Sequence, residues 1–329
     1  MKAVWPVVFL SLSATNFALA DSAGSPDGVA WLNRMAGASN HLNYSGTFVY
    51  QHRGLSETSR IAHFVNAAGG VFERLEALDG PVREVIRSND QVTCYLPSSK
   101  TVLIEQRNAR LLPALLPESL AGITESYEVK VGHRDRVAGH ECQLVDLEPR
   151  DNLRYGRQFC LEVRSGLPLR VRTVNEKNEA VEAFAFTQLR IGGGFDRDKV
   201  KSKYAARSRH WRVDRSALNA AKKSVETGWV VNNQPPGFKK LMEINRSIAG
   251  RTGPVAQIVF SDGLAAISVF IEPLPKERHA DTTLTHQGAV NIYTRSYGDR
   301  MVTVLGEAPA ATVMQIANSL ELKTSAAAK

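Results

Sequence analysis

Ser45–His52 reads SGTFVYQH, Ser59–Val65 reads SRIAHFV, and Gly70–Leu78 reads GVFERLEAL. Each run is short, alternates apolar with polar residues or is rich in β-branched and aromatic side chains, and stops at turn formers: Gly54, Ala68-Gly69-Gly70 and Asp79-Gly80-Pro81. Val82–Arg87, Gln91–Leu96 and Thr101–Gln106 continue the pattern, with Ser88-Asn89-Asp90 as a further turn. Successive short strands joined by tight turns predict an antiparallel meander. On its N-terminal side, Pro26–His41 places Val29, Leu32, Met35 and Ala36 at helical spacing, with Ser25 or Asp27 available as a cap, so one amphipathic helix precedes the first strand.

Leu111–Leu120 (LLPALLPESL) interrupts the meander, and its two prolines among leucines predict a short helix or apolar loop, not a strand. Strands resume at Tyr127–Gly132, Glu141–Leu147, Arg157–Val163, Leu169–Val174 and Ala180–Ile191. A helix on a sheet of nine or more strands with one curved apolar face is an α+β layer architecture with room for a cavity. Gly192-Gly193-Gly194 marks the end of this unit. In the second, smaller block, Gly253–Ser261 and Leu264–Glu272 flank Asp262-Gly263, the strongest hairpin signal in the chain, and Gly288–Arg295 and Met301–Leu305 flank Tyr297-Gly298-Asp299. Pro309–Leu320 then puts Val313, Ile316, Ala317 and Leu320 on one helical face, closing a small antiparallel sheet.

The chain has 329 residues, 22% charged and 43% hydrophobic, which excludes a disordered, collagen-like or integral membrane protein and suggests two domains. Lys2, an uncharged stretch and Ala18-Leu19-Ala20 read as a secretory signal, so residues 1–20 are expected to be removed and the mature chain to start at Asp21, exported and unanchored. The expected division is a large domain over 21–192, a basic flexible linker over 193–227, a small C-terminal domain over 228–322 and a tail over 323–329.

Asp196–Lys223 carries ten basic and three acidic residues, while the rest of the mature chain is neutral on balance. A basic excess confined to one stretch suggests an anionic partner contacted by Lys199, Lys201, Lys203, Arg207, Arg209 and Arg212, with Tyr204 and Trp211 able to reach a lipid interface. The alternative is a stretch that only spaces the domains. Export argues against nucleic acid.

G-x-S-x-G, H-E-x-x-H, C-x-x-C and phosphate-loop patterns do not occur, and no two of the eight histidines stand at the i,i+4 spacing of a helical metal site. Glu73 and Glu76 fall on opposite faces of one strand, so they do not form an acid/base dyad. Neither an enzyme, a cofactor nor a metal is expected. With a hairpin turn near Asp151, Cys142 faces Cys160, and in an oxidising compartment a cross-strand disulfide is favoured over two buried thiols. Cys94 shares a strand face with Val92 and Leu96 and reads as a core thiol.

Several strings taken in order, Val137-Ala138-Gly139, Pro149-Arg150-Asp151, Arg154-Tyr155-Gly156, Gly166-Leu167-Pro168-Leu169-Arg170, Pro235-Pro236-Gly237-Phe238, Phe260-Ser261-Asp262-Gly263-Leu264, Ser268-Val269, Gly288-Ala289-Val290 and Val304–Pro309, resemble the RseB/MucB family of sigma-E factor regulators over nearly the whole mature chain. The resemblance implies a periplasmic negative regulator that binds the periplasmic part of an RseA/MucA-type anti-sigma factor and shields it from a site-1 protease. It further implies a large domain similar to the lipoprotein carriers LolA and LolB, a half-open β-barrel over helices, with lipopolysaccharide or lipoprotein acyl chains as the releasing signal. Apolar positions nominated for the lipid cavity are Phe48, Tyr50, Ile61, Phe64, Phe72, Leu115, Leu116, Phe184 and Phe186, each of which could instead be ordinary core. A periplasmic lipoprotein or lipid carrier is the alternative function, and self-association is left open.

Overall fold

Apolar side chains at helical spacing decide where the first element lies. Pro26–His41 forms helix α1, which buries Leu32, Met35 and Ala38 against a sheet, each large side chain contributing roughly 1.5–3 kcal/mol. The computed structural model describes residues 26–52, 54–106, 122–194, 196–215, 225–246, 253–274 and 281–323. The expected signal segment, Leu115 and Leu116 lie outside these.

The first sheet is built from β1 (Tyr44–His52), β2 (Leu55–Val65), β3 (Val71–Ala77), β4 (Glu84–Ser88), β5 (Gln91–Leu96), β6 (Thr101–Gln106), β7 (Tyr127–Val137), β8 (His140–Pro149), β9 (Gly156–Glu162), β10 (Pro168–Val174), β11 (Ala180–Ile191) and β12 (Arg212–Asp214), with the short helix α2 (Ile123–Ser126) before β7. The twelve strands run β12-β6-β5-β4-β3-β2-β1-β11-β10-β9-β8-β7. Two meanders therefore meet at the antiparallel β1–β11 pair, and the end strands β12 and β7 do not pair, leaving the barrel half-open. Among the described strands only β12 is parallel to its neighbour, β6. Gly46 makes the central join possible: a Cβ there would lie 2.4 Å from the Gln188 carbonyl oxygen and 2.9 Å from the Phe186 ring.

Cys142 and Cys160 are joined by a disulfide with their Cα atoms 5.3 Å apart. The register differs from the expectation by two residues: Cys142 stands opposite Glu162, and Cys160 opposite Leu144. The bridge thus links diagonal neighbours on one face. The cause is at the corner, where the Asp151 carboxylate accepts the Leu153 N–H (3.0 Å) and the Arg154 guanidinium, so the chain reverses about Asn152 and not Asp151.

The second unit contains β13 (Trp229–Val231), β14 (Lys239–Arg246), β15 (Val255–Ser261), β16 (Ala266–Pro273), β17 (Thr283–Gln287), β18 (Val290–Tyr297), β19 (Arg300–Gly306), helix α3 (Ala310–Asn318) and β20 (Leu320–Leu322). Six strands form an antiparallel sheet in the order β14-β15-β16-β19-β18-β17, and β13 pairs with β20. α3 lays Val313, Ile316 and Ala317 onto Ile267, Val269, Val302 and Val304, a second core separate from that beneath α1.

Candidate functional site: two faces of the sheet and a domain seam

Strand parity divides the nominated cavity residues. Phe48 stands opposite Phe186 and Tyr50 opposite Phe184, and with Ile61 they point to the concave side, where α1 lies. Phe48, Ile61, Phe184 and Phe186 are buried core, with Phe48 and Phe184 ring centroids 4.8 Å apart. Tyr50 sits at the margin and donates its hydroxyl to Glu182 (2.7 Å); burial first, and then the Glu182 carboxylate, push its phenol above the ordinary range. Phe64 and Phe72 are brought together, 6.2 Å apart, but on the convex side, where the Arg197 guanidinium lies 5.4 Å from the Phe64 ring.

The concave face also carries a row that the sequence reading passed over. Register aligns Leu75, Val85, Cys94 and Leu103 across β3 to β6, all only half-buried. Burial pushes the Cys94 thiol up, keeping it protonated. Between this row and the core, the buried Glu73 carboxylate meets Arg87 (3.2 Å) and the His63 ring (3.7 Å), while the His63 Nδ1 contacts the Leu42 carbonyl (2.7 Å).

On the convex face, residues 196–214 form a strap across the sheet. Asp196 caps its first turn by accepting the Asp198 N–H, Ser202 donates to Glu84, and Lys203 pairs with Glu76. Tyr204 lies against Tyr95 (6.4 Å) and Trp211 (5.9 Å), so these aromatics stack over the sheet and do not project toward a lipid interface. Of the six nominated cations, Lys203 is held by Glu76 and Lys201 by Asp198 (2.7 Å). Lys199, Arg207, Arg209 and Arg212 are exposed and, among the described residues, have no carboxylate partner.

Burial pushes the Glu76 carboxyl up, but the Lys203 ammonium bonded to it, with Arg74 and Arg60, outweighs this and holds it below the ordinary carboxylate value. A depressed folded-state value means the stabilisation is present above pH about 4.5 and lost as pH falls through the folded value. In a chain whose other tryptophans are phenylalanine, Trp211 emission should therefore shift to the red only in acid, and Glu76→Gln should carry that shift already at neutral pH. Glu76→Gln emission indistinguishable from that of the wild type at neutral pH would mean that Glu76 does not hold the strap.

The third feature is the seam between the two sheets. The Arg154 side chain is fully buried. It donates to Asp151 (3.0 Å), to Asp262 (2.9 Å) and to the Pro236 carbonyl, and it lies between the rings of Tyr127 (5.5 Å) and Phe238 (5.2 Å). Tyr127 donates to the same Asp262 oxygen (2.9 Å), and the other oxygen of that carboxylate accepts the N–H groups of Leu264 and Ala265. Burial, then the Asp262 carboxylate, push the Tyr127 phenol far above its usual value. Gly237 at φ +78° approaches so closely that a Cβ would stand 2.4 Å from the Ser126 hydroxyl. Asn291 donates to Tyr155 (2.9 Å), Thr312 to the Leu153 carbonyl (2.6 Å), and Arg157 pairs with Glu307 (3.0 Å). The strings Pro149–Asp151, Arg154–Gly156, Pro235–Phe238, Phe260–Leu264 and Val304–Pro309, far apart in sequence, thus meet at one place.

The family model described as the MucB/RseB N-terminal domain matches residues 27–204, and that of the MucB/RseB C-terminal domain matches residues 223–321. The chain belongs to the MucB/RseB family. The N-terminal match runs into the strap, in keeping with its attachment to the first sheet. The sigma factor AlgU regulatory protein MucB of Pseudomonas aeruginosa is 34% identical over 305 residues, covering 91% of this chain and 92% of that protein. The sigma-E factor regulatory protein RseB of Escherichia coli K12 is 22% identical over 324 residues, with 98% of each covered. The crystal structure of MucB in complex with MucA(peri) superposes with a TM-score of 0.74 at 30% identity, covering 91% of this chain and 100% of that one, whereas the crystal structure of MucB gives 0.65 at 31% identity, covering 91% and 99%. The two-sheet architecture found here is thus that of a MucB/RseB sigma-factor regulator.

Proposed function

We propose that this MucB/RseB chain is a periplasmic negative regulator of an extracytoplasmic, sigma-E type stress response, which binds the periplasmic region of an RseA/MucA-type anti-sigma factor and protects it from site-1 proteolysis. One observation carries the reading: both domains correspond, over nine-tenths of the chain, to MucB as crystallised with MucA(peri). Lipopolysaccharide or lipoprotein acyl chains are the releasing signal in this reading. On the concave face they would meet the half-buried row Leu75, Val85, Cys94 and Leu103 beside the core that contains Phe48 and Ile61. Acyl chains fit such a surface because burying each methylene contributes about 0.8 kcal/mol. The exposed cations of the strap suit an anionic partner.

Mature chain mixed with the periplasmic segment of its cognate anti-sigma factor is expected to slow cleavage of that segment by the site-1 protease, and added lipopolysaccharide to restore cleavage. Cleavage at an unchanged rate would end the regulator reading. Protection that no lipid relieves would end only the sensor part. The same apolar row favours a lipid carrier as second reading; transfer of a fluorescent lipid between vesicles, without any protection of the anti-sigma segment, would select it.

A further inference from the structure

Under the strap lies a cleft of about 490 Å³ whose walls are cationic. Its floor is set by register on the convex face. One cross-strand row runs Arg190, Ser45, Ala62, Arg74 and the next runs Gln188, Thr47, Arg60, Glu76. Ser45 and Ala62 in the middle of the first row, and Thr47 in the second, leave a trough, with Arg190 at one end, Arg74 at the other and Arg60 one strand in from Arg74. The span from β11 to β3 is three strand spacings, about 14 Å. Lys199 and Lys203 of the strap line the opening.

Five cations therefore surround one cleft that contains a single carboxylate, Glu76, and this group already serves three of them: Arg74 (3.1 Å), Arg60 (3.6 Å) and Lys203. Glu84 takes the remaining face of Arg74 (2.7 Å). Arg190 and Lys199 have no carboxylate partner among the described residues. Like charges crowded in a concave, partly desolvated site repel one another, and the field they focus is relieved by a bound anion. Arg190 has no carboxylate partner among the described residues and Arg60 meets only Glu76, at 3.6 Å, so these two guanidinium groups can take phosphate oxygens in pairs, while Arg74, held by Glu76 and Glu84, adds charge. Cations at both ends of a trough about 14 Å long favour a ligand with more than one phosphate.

We infer that the cleft between the strap and the convex face, walled by Arg60, Arg74, Arg190, Lys199 and Lys203, is a binding site for a multiply phosphorylated ligand, distinct from the concave apolar face. It deepens the anionic-partner part of the proposed function and rests on that part only for the two lysines; the three arginines belong to the sheet. Such a ligand would bridge the strap and the strands beneath it, and would tighten the strap on the sheet.

The test is titration of the mature protein with inorganic tripolyphosphate, and in parallel sedimentation with phosphatidylcholine vesicles containing or lacking a phosphatidylinositol bisphosphate. The variants are Arg190→Gln with Lys199→Gln, neither side chain having a carboxylate partner among the described residues, and separately Arg60→Gln. A control triple variant, Lys201→Gln, Arg207→Gln, Arg209→Gln, removes exposed strap charge outside the cleft. Losing two charge-assisted contacts should weaken binding about tenfold or more, with the control within about twofold, and affinity should fall as salt rises. Binding of tripolyphosphate alone would assign the site to a soluble phosphate compound; binding of the charged vesicles, also lost in the double variant, would assign it to a lipid headgroup. Binding of neither probe, or loss in the control triple variant but not in the double variant, would overturn the cleft, the latter leaving the surface-charge reading of the strap intact. Anti-sigma protection retained in the double variant would show that failure here is not failure of the regulator.

Discussion

Arg154→Ala is expected to destabilise the protein by about 3–5 kcal/mol, the range for removing one partner of a buried ion pair. The loss is large because the buried Asp262 carboxylate would lose the guanidinium, leaving the Tyr127 hydroxyl as its only side-chain partner among the described residues. The Pro236 carbonyl and the rings of Tyr127 and Phe238 would face a void in place of a planar cation. Arg154→Lys should recover little, since an ammonium cannot serve Asp151, Asp262 and Pro236 with the geometry of a flat fork. Urea unfolding of the wild type, Arg154→Ala, Asp262→Asn and the double variant measures the coupling between the two residues. A cycle giving less than about 1 kcal/mol would mean that apolar contacts such as Leu264, and not this ion pair, hold the two sheets together.

Opening the Cys142–Cys160 bridge is the second change with a large expected effect. The two cysteines are 18 residues apart, and closing a loop of that size stabilises by roughly 3 kcal/mol in the chain-entropy account. For a domain of this size that corresponds to a fall of about 6–12 °C in thermal midpoint. Cys142→Ser and Cys160→Ser should each show it in the oxidised protein, and reductant should bring the wild type to the same value. Cys94→Ser should leave the disulfide count unchanged, because Cys94 lies between Val85 and Leu103 on another part of the sheet. Non-reducing peptide maps with Cys94 in a bridge would contradict this assignment.

The helix, both meanders and the Asp262-Gly263 hairpin were legible in the sequence because each depends on local periodicity and turn chemistry. The cysteine pair was legible too, although its register was displaced by a corner in which a side chain, Asp151, replaces backbone pairing. The division of the aromatic residues required only parity: Ile61 and Phe64 are three apart on one strand, so they face opposite sides, and Phe72 follows Phe64 across the β2–β3 ladder. Selecting positions by hydrophobicity alone mixed the two faces. The row Leu75, Val85, Cys94, Leu103 follows from the same counting carried through three hairpins.

Other features had no local signal. Arg154 and Asp262 are 108 residues apart, and nothing in either neighbourhood announces that they touch. The strings that carried the family resemblance marked the right residues without revealing that they converge on one seam. The charges of the strap suggest a solvated, flexible connection. Its attachment comes from particular pairings, Lys203 with Glu76 and Ser202 with Glu84, and from three residues of parallel strand beside β6.

That parallel strand changes how far apart the two domains can move. Residues up to Asp214 are committed to the first sheet, while on the other side the Val225 N–H bonds the Glu243 carbonyl and the Thr227 hydroxyl bonds the Glu243 carboxylate. Ten residues, 215–224, separate these anchors, and the contour of ten residues is at most about 35 Å. If the seam at Arg154 parts, each half still meets the other at an effective concentration in the millimolar range or above. Reclosure is then an intramolecular event that a weak opening force cannot outlast. A partner that must hold the domains apart therefore has to contribute binding energy continuously, whereas one that fits the closed arrangement meets a surface already assembled.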